Sequence, residues 1–415
     1  MDIVIKREHY AALHDKHWTQ KIELQEDEKR QEVTKTRTSP SLGGMSKMTG
    51  YIYQTKQPFS YRVGDIESSV IIGKNLETEI ADFLRKLNPH SIAVITDTNV
   101  ADIHGDRLRR ILDNVVFAPQ HWFSVEPGEK SKSLGTTNKI LDDMLSLMTR
   151  DSVIISFGGG VVNNLAGTVS SLLFRGTRLV HIPTTFMAQA DAAIGIKQAV
   201  NSASAKNAYG AYHTPLCVFN DISFMKTLSV DHWRSGLSES VKVGIARSPE
   251  FASELKEIIK KCPKFLNADI YHLLEETIYP KIAGLEQDPY EKNSLLFLEI
   301  GHTIGHAIES ASNGSITHGV GIAMGMLLET RVAIKMGISS EHVYESLFEL
   351  FTILSHPTSL PANVSADRII ECLLHDNRRV STGPLFVFAV DIGKTITKSG
   401  VDLDLVKETI LEFQK

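Results

Sequence analysis

The feature that most constrains the fold is an alternation of short apolar runs with helix-like segments between residues 59 and 222. The runs are SIAVITD, VIISFGGG, LVHIP and LCVFND, at residues 91–97, 153–160, 179–183 and 216–221. Helical patterns follow the first two runs, over residues 99–112 and up to Leu173. The last two runs lack the polar alternation of a strand with one solvated face. This order predicts a parallel sheet covered by crossover helices, as in nucleotide-binding α/β domains.

Beyond Asp231 the pattern changes to longer segments with helical spacing. These segments cover residues 270–285, 295–310 and 319–336. At 415 residues the chain is long enough for two domains. We therefore predict an α/β domain over residues 51–225 and a mainly helical domain over residues 226–415. Residues 1–50 hold 17 charged side chains and the SPSLGG stretch, so we predict a charged, flexible appendage with a helix over residues 8–33.

The composition argues against several classes of protein. Lys and Arg number 44 against 49 Asp and Glu, and the isoelectric point is near 6.4, so nucleic acid and anionic membranes are not expected partners. The sequence has no apolar run of about 18 residues, so no membrane span is predicted, and the N-terminus is too polar for a signal peptide. Cys217, Cys262 and Cys372 form no CxxC motif. Their spacing suits a reducing compartment, and we expect a cytoplasmic protein.

The segment GGGVVNNLAG, residues 158–167, follows a predicted buried strand and opens a predicted helix. Its glycines let backbone N–H groups approach a pyrophosphate at the positive end of the helix dipole. A tight turn without a ligand is the alternative. Asp97, at the end of an earlier strand, and Glu129, in PGEKSKS, favour a dinucleotide site because both can meet an adenosine or a ribose. The spacing is not GxGxxG, so the site is not an ordinary Rossmann fingerprint.

A candidate metal site comes from three segments of the helical half. GHTIGHAIE places His302 and His306 four residues apart on one helical face, and His318 follows in THG. Glu239 lies inside a helix of apolar and small residues, where an uncompensated carboxylate is costly and calls for a metal or a cation. The alternatives are a chance HxxxH pair and a solvated glutamate. Three ligands of this kind leave positions open on zinc, which indicates a catalytic site.

Side chains able to hold an anion are concentrated between residues 174 and 207. They are Arg175, Asp191, Lys197, Asn201, Lys206 and Asn207. Lys197 interrupts the apolar stretch AAIGIKQAV, and a buried lysine needs a charged partner or an anionic substrate. Arg378 and Arg379 in HDNRR add two cations, although, taken alone, a solvated helix end is the preferred interpretation of this pair.

Taken together, the motifs resemble those of the sugar phosphate cyclases, the family of 3-dehydroquinate synthase, from about residue 59 to the C-terminus. The matching motifs, in the family's order, are GGGVVNNLAG, FRG, PTTF, KQAVN, the KN of KNAYGAYH, SESVKVG, GHTIGHAIE, HGVGIAMGM and HDNRR. The resemblance implies a Rossmann-like nucleotide-binding domain followed by a mainly α-helical metal-binding domain. It also implies a homodimer.

The resemblance assigns roles residue by residue. It implies one zinc or cobalt ion on Glu239, His302 and His318. It implies NAD contacts from Asp97, Asn99, Glu129, Lys130, Gly158, Gly159, Gly160, Asn164 and Lys206. It implies catalytic roles for Lys197, His306 and Glu299. It implies phosphate contacts from Arg175, Asn201, Lys281 and Arg378, and a further substrate contact from Asp191.

The family's chemistry, as the resemblance implies it, recycles NAD within each turnover. Bound NAD⁺ takes hydride from a metal-bound ring hydroxyl, and the new ketone acidifies the adjacent C–H. Phosphate is then eliminated, the hydride returns, and the opened enol closes on a carbonyl as a carbocycle. The expected partner is therefore a small sugar phosphate.

Departures from the family pattern indicate a branch of it. Dehydroquinate synthases usually carry an Arg for the substrate carboxylate near the place of Leu295, and Glu299 here replaces their usual Asn. With the asparagines at residues 163–164 and the KQAVN run, this resembles the 2-deoxy-scyllo-inosose synthases, which cyclise glucose 6-phosphate. Cyclases of sedoheptulose 7-phosphate usually carry GHTWS, so His306 argues against them. Val320 departs from the usual HGE of the family.

Other functions remain open from the residues alone. A cyclase acting on sedoheptulose 7-phosphate and a dehydroquinate synthase are the alternatives within the family. A metal-dependent polyol dehydrogenase would release NADH, but its usual GGGSxxDxAK turn is absent. A sugar phosphate sensor without catalysis is the alternative of another class.

Overall fold

The structure is a computed structural model, and it describes residues 59–114, 118–202, 205–290, 296–375 and 380–414. These residues belong to one compact unit. The predicted appendage over residues 1–50 lies outside the described residues, and the domain boundary near residue 225 stays a prediction. Within the described ranges, no helix is both long enough and apolar enough to cross a membrane.

Strands dominate the first part of the described chain and helices the second. The strands are β1 Phe59–Val63, β2 Ile66–Gly73, β3 Ile92–Asp97, β4 Gln120–Val125, β5 Val153–Gly158, β6 Arg178–Pro183, β7 Lys197–Val200, β8 Tyr209–Tyr212, β9 Cys217–Asp221, β10 Phe386–Asp391 and β11 Lys394–Lys398. The α-helices are α1 Glu77–Leu87, α2 Thr98–Asp113, α3 Leu134–Met144, α4 Gly160–Leu172, α5 Val230–Arg247, α6 Pro249–Ile259, α7 Asn267–Leu285, α8 His302–Ala311, α9 His318–Lys335, α10 Glu341–Ile353, α11 Ala366–Leu374 and α12 Leu403–Phe413.

Seven strands form one sheet in the order β1-β2-β9-β6-β5-β3-β4. All neighbouring pairs are parallel except β1 and β2. Every residue of β5 is buried, as expected for a strand with helices on both faces, so the α/β prediction is confirmed. The chain runs from β3 through α2 to β4 on one side and from β5 through α4 to β6 on the other. The strand order therefore reverses between β3 and β5, where α/β sheets bind their ligands.

Glycines let the helices of the second part approach closely. A Cβ at Gly325 in α9 would lie 2.0 Å from the Gly301 carbonyl oxygen, and one at Gly319 would lie 2.0 Å from the Ser235 carbonyl oxygen. Larger side chains would separate α9 from α8 and from α5. The three helices that carry Glu239 and the histidines are thus packed backbone to backbone.

The predicted helical segment over residues 295–310 is divided. Leu296–Glu299 forms a 3₁₀ turn and α8 begins at His302, because Gly301 adopts a left-handed φ of 75°. The buried Glu329 carboxylate accepts hydrogen bonds from the backbone N–H groups of Gly301 and Ile304, at 2.7 and 3.0 Å. It thereby satisfies donors in the first turn of α8. This break orients Glu299 and His302 separately toward the cleft.

Candidate active site

An open cleft of about 570 Å³ lies between the carboxyl ends of β3 and β5 and the helices of the second part. Asp97 and the glycine turn after β5 line one side. His302, His306 and His318 line the other. The fold thus brings residues more than 200 positions apart to a single cavity.

Three of the predicted metal ligands converge at the base of this cleft. The Nε2 atoms of His302 and His318 lie 3.8 and 3.6 Å from Oε1 of Glu239. Ligand atoms held about 2.1 Å from one ion at tetrahedral angles lie about 3.4 Å apart, so the observed separations are close to those of a shared metal. Glu239 is fully buried, and its Oε1, the oxygen nearest both histidines, has no hydrogen-bond partner among the described residues. These residues therefore fit a divalent ion.

The second ring nitrogen of each histidine ligand is engaged. Nδ1 of His302 lies 3.1 Å from the Ile300 carbonyl oxygen, and Nδ1 of His318 lies 3.0 Å from Oε2 of Glu309. Each Nδ1–H therefore donates away from the cluster, and each Nε2 faces Glu239, as metal-ligating histidines require.

The charges around the cluster shift the histidine pKa values in opposite directions. Burial and the nearby Lys242 ammonium lower the pKa of His302 to about 4. Burial also opposes protonation of His318, but Glu309 and Glu239 outweigh it and raise the pKa of His318 to about 9. Glu309 is buried as well, yet His318 and Lys206 hold its pKa at about 2. Of the two histidines, His318 is thus the one that is more easily protonated.

His306 lies beside the same cluster. Its ring centroid is 5.2 Å from that of His302 and 5.5 Å from that of His318, and ring nitrogens of the three histidines lie within 4.8 Å of one another. A metal site formed by the three histidines is thus also compatible with the geometry. We prefer Glu239 as the third ligand because its buried negative charge compensates the charge of the metal.

Lys242 is a cleft residue that the sequence analysis missed. Its ammonium forms an ion pair with Oε2 of Glu239, three residues earlier in α5, and both side chains are almost fully buried. The pair holds the pKa of Glu239 well below its ordinary value, although burial opposes this. The sequence analysis expected a metal or a cation beside the buried Glu239. Lys242 is such a cation. The i, i+3 spacing within SESVKVG was the available signal.

The glycine turn lies between β5 and α4, as the sequence predicts for a turn that would bind a pyrophosphate. Gly159 and Gly160 line the cleft at the start of α4, whereas Gly158 lies beneath them, where a Cβ would meet Val162 at 2.7 Å. Asn164 also lines the cleft, and its Oδ1 accepts from the Ala199 N–H at 3.3 Å. Asn164 thus ties α4 to the β7–β8 hairpin.

Two predicted nucleotide contacts lie at the end of β3. Asp97 caps α2 by accepting from the Val100 N–H at 2.9 Å, and burial raises its pKa. Asn99 lines the cleft beside it, in the first turn of α2. Part of the hydrogen-bonding capacity of Asp97 therefore serves the fold.

A chain of alternating charges follows the nucleotide side of the cleft. Oε1 of Glu129 accepts from Asn201 Nδ2 at 2.8 Å and lies 3.7 Å from Lys206 Nζ and 4.0 Å from Lys132 Nζ. Asn201 lies behind Glu129 and does not itself line the cleft. Burial lowers the pKa of Lys132 to about 8, and its ammonium donates to Asn207.

Lys130 is exposed and does not line the cleft. Lys132, which follows the 3₁₀ turn Glu129–Ser131, is buried and lines the cleft instead, and the nucleotide contact expected of Lys130 stays a prediction. Asn207, which the sequence analysis includes among the side chains able to hold an anion, also lines the cleft.

The predicted catalytic pair and the substrate pair both face the cleft. Lys197 Nζ lies 3.6 Å from Oε1 of Glu299, and Lys281 Nζ lies 2.9 Å from Oδ1 of Asp191. The premise that Lys197 is buried is wrong, because its side chain is 40% exposed at the start of β7. Its partner in the cleft is a carboxylate, as the sequence argument required.

Of the remaining predicted phosphate contacts, only Arg175 belongs to the described residues, and it does not line the cleft. Arg175 is exposed in the 3₁₀ turn after α4, with a left-handed φ of 68°. Arg378 and Leu295 lie outside the described residues. Their roles stay predictions.

The chain matches two family models. Residues 122–235 match the family described as 3-dehydroquinate synthase N-terminal, and residues 236–379 match 3-dehydroquinate synthase C-terminal. Together they cover more than half of the chain, including the glycine turn, Lys242 and the three histidines.

Individual relatives give the same result. The 2-deoxy-scyllo-inosose synthase of Streptoalloteichus tenebrarius is 33% identical over 369 residues, which are 86% of this chain and 95% of that protein. The 3-dehydroquinate synthase of Desulforamulus reducens is 33% identical over 73% of this chain and 85% of that protein. A crystal structure of 2-deoxy-scyllo-inosose synthase with carbaglucose-6-phosphate, NAD⁺ and Co²⁺ superposes with a TM-score of 0.78 at 28% identity, over 86% of this chain and all of that one.

Proposed function

Because the chain belongs to the 3-dehydroquinate synthase family of sugar phosphate cyclases, we propose that it converts a hexose phosphate, with glucose 6-phosphate favoured, into 2-deoxy-scyllo-inosose and inorganic phosphate. The observation that carries the proposal is a single cleft that combines the glycine turn, the cluster of Glu239, His302 and His318 at its base, and five lysines. The protein is thus an enzyme that uses NAD and one divalent metal ion.

Glu239, His302 and His318 would hold the metal, and Gly159 and Gly160 would receive the pyrophosphate of NAD. When bound, NAD⁺ would accept and later return a hydride, and the metal ion would bind and acidify the hydroxyl on the ring carbon that loses this hydride. The net reaction needs no external oxidant, because the hydride removed to form the ketone is returned to that ketone within one turnover.

The charged pairs of the cleft account for substrate binding and proton movement. Lys281 and Lys242 present ammonium groups on the helical side, where a phosphate is favoured. Lys197, 3.6 Å from Glu299, stabilises the negative charge on that carboxylate. Glu299 can then accept a hydrogen bond from a sugar hydroxyl, and with His306 it can accept and return the protons released during elimination and ring closure.

Glu299 also favours a neutral sugar over a carboxylated one. Its carboxylate is only 16% exposed in the cleft, so a substrate carboxylate placed beside it would meet a like charge in a partly desolvated site. Such a contact costs several kcal/mol, which corresponds to roughly a thousandfold discrimination. The identity to the Streptoalloteichus enzyme supports the same substrate class.

A dehydroquinate synthase is the second candidate, because the Desulforamulus enzyme is as similar in identity over a shorter span. Glu299 argues against it for the reason above. A cyclase of sedoheptulose 7-phosphate remains an outcome of the test, as do a dehydrogenase that accumulates NADH and a sensor without turnover.

The test is a competition among glucose 6-phosphate, sedoheptulose 7-phosphate and the carboxylated dehydroquinate precursor. Purified protein receives Co²⁺ or Zn²⁺ and less than stoichiometric NAD⁺, while phosphate release and NADH absorbance are followed and products are identified by mass and NMR. We expect phosphate release from glucose 6-phosphate without NADH accumulation, and none from a His302→Ala control. Turnover of the carboxylated substrate contradicts the role of Glu299, and NADH formed at the rate of substrate loss contradicts the cyclase.

A further inference from the structure

Glu309 lies between the metal cluster and the nucleotide side of the cleft. It follows His302 by seven residues in α8 and is only 3% exposed. Its two carboxylate oxygens have different partners. Oε2 lies 3.0 Å from Nδ1 of His318, and Oε1 accepts from Lys206 Nζ at 2.6 Å.

The packing of α8 against α9 leaves room for this side chain and little else. A Cβ at Gly321 would lie 2.8 Å from Cγ of Glu309 and 3.1 Å from the Gly305 carbonyl oxygen. Glycine at position 321 therefore lets the Glu309 stem pass between the two helices. Both oxygens then emerge at fixed positions below the cleft.

Both partners of Glu309 are donors. Lys206 offers only N–H groups, and His318 must donate from Nδ1 if Nε2 is to bind a metal. A carboxylate satisfies both donors, since each of its oxygens accepts. A glutamine has a single acceptor oxygen and would turn its NH₂ group toward one of the two donors.

We propose that Glu309 is a positioning residue that sets the imidazole of His318 for the metal and holds Lys206 at the nucleotide side of the same cleft. The inference rests on the proposed function, because it takes Glu239, His302 and His318 as the metal ligands. Glu309 acts through these neighbours and touches neither substrate nor reacting atoms.

The test measures metal affinity rather than turnover. Co²⁺ dissociation constants of the full-length protein are obtained by chelator competition, and the visible spectrum of bound Co²⁺ reports on ligand geometry. Glu309→Met removes both acceptors and should weaken Co²⁺ binding about 10- to 100-fold, the usual effect of losing the partner of a metal-bound histidine. A Glu309→Met protein that binds Co²⁺ within twofold of the parent, with the same spectrum, overturns the proposal.

A second set of variants separates the two contacts. In Glu309→Gln the single oxygen is shared between two donors, so Co²⁺ affinity should fall. In Lys206→Met/Glu309→Gln that oxygen is free to accept from His318, and Co²⁺ affinity should return to within about threefold of Lys206→Met alone. A double variant as weak as Glu309→Met contradicts the shared-acceptor argument.

The Lys206 half of the proposal is tested by NAD⁺ binding with EDTA present. Glu309→Met should weaken NAD⁺ binding severalfold, because Lys206 then keeps only the more distant Glu129, at 3.7 Å. Unchanged NAD⁺ affinity refutes this half.

Asp221→Asn is the matched control for general destabilisation. Asp221 is also a fully buried carboxylate paired with a cation, Arg107 at 2.7 Å, but it does not line the cleft. It should lower the unfolding midpoint and leave the Co²⁺ affinity unchanged. If it weakens Co²⁺ binding as much as Glu309→Met does, the effect is not specific and the proposal fails.

These measurements are independent of which sugar is cyclised. Failure of the competition test with intact Co²⁺ binding would contradict the proposed function alone. Intact Co²⁺ binding in Glu309→Met, together with lost binding in His302→Ala, would contradict only the role of Glu309.

Discussion

Replacing Lys242 by methionine should change stability in a way that depends on the metal. Lys242 and Glu239 form an ion pair in which the side chains are 2% and 1% exposed. Removing one partner of a buried pair usually costs about 3 to 5 kcal/mol, because the remaining charge is left uncompensated. Methionine has a similar length, so the loss of packing is small. Without metal, Lys242→Met should therefore lose about 3 to 5 kcal/mol of unfolding free energy.

With the metal bound, the same substitution should cost less. The metal ion then compensates the charge of the Glu239 carboxylate. In the variant, no adjacent ammonium competes with the metal ion for this carboxylate. Each 1.4 kcal/mol recovered corresponds to about tenfold tighter metal binding by the variant than by the parent. Lys242→Met should thus gain more stability from saturating Zn²⁺ than the parent gains.

Urea unfolding followed by circular dichroism, with EDTA or with Zn²⁺, measures both quantities. Lys260→Met is the matched control, because Lys260 pairs with Glu257 at the same i, i+3 spacing but on the surface. It should leave stability nearly unchanged in both conditions. If Lys242→Met lost the same unfolding free energy with and without Zn²⁺, the reasoning would be refuted. Such a result would show that the metal does not compensate the Glu239 carboxylate.

Three further predictions follow from the same geometry. His302→Ala should reduce bound metal from about one ion per chain to a small fraction in metal analysis after dialysis, because two ligands rarely hold a catalytic ion; unchanged stoichiometry would contradict the ligand set. Lys197→Met should lose most cyclase activity while its unfolding midpoint stays near that of the parent, because its side chain is 40% exposed and its partner is Glu299; unchanged turnover would contradict its catalytic role. Burial lowers the pKa of His181 to about 3, so below pH 6.5 only the unfolded chain takes up this proton, and lowering the pH from 7 to 5 should cost about 2 kcal/mol from this residue. In urea unfolding, His181→Gln should lose less unfolding free energy between pH 7 and pH 5 than the parent protein loses. An equal loss in the two proteins would contradict the lowered pKa of His181.

The family, the fold class and many of the polar residues that line the cleft were accessible from the sequence. Glycine turns, buried strands and an i, i+4 histidine pair are local patterns, because they depend on backbone conformation and on spacing within one element. His302 and His306 therefore lie on one face of α8 as the spacing predicts, and Gly159 and Gly160 lie at the start of a helix after a buried strand.

The sequence was least informative about the environment of lysine side chains near the cleft. Lys130 and Lys132 are both lysines of one short segment, and only the 3₁₀ turn at Glu129–Ser131 decides which of them faces inward. Lys197 interrupts an apolar run, and this pattern predicts a buried side chain. In the structure Lys197 begins the two-stranded β7–β8 hairpin and lines the open cleft.

The sequence by itself determined that these residues form an α/β sheet, a glycine turn between a strand and a helix, and a pair of histidine-bearing helices. Only the tertiary structure decided which charges on different segments meet, namely Glu239 with His318, and Glu309 with His318 and Lys206. Side-chain patterns report the environment of a residue but not the identity of a distant partner. That identity depends on how closely α5, α8 and α9 approach, and the glycines at 319, 321 and 325 set that distance through contacts between segments far apart in the chain.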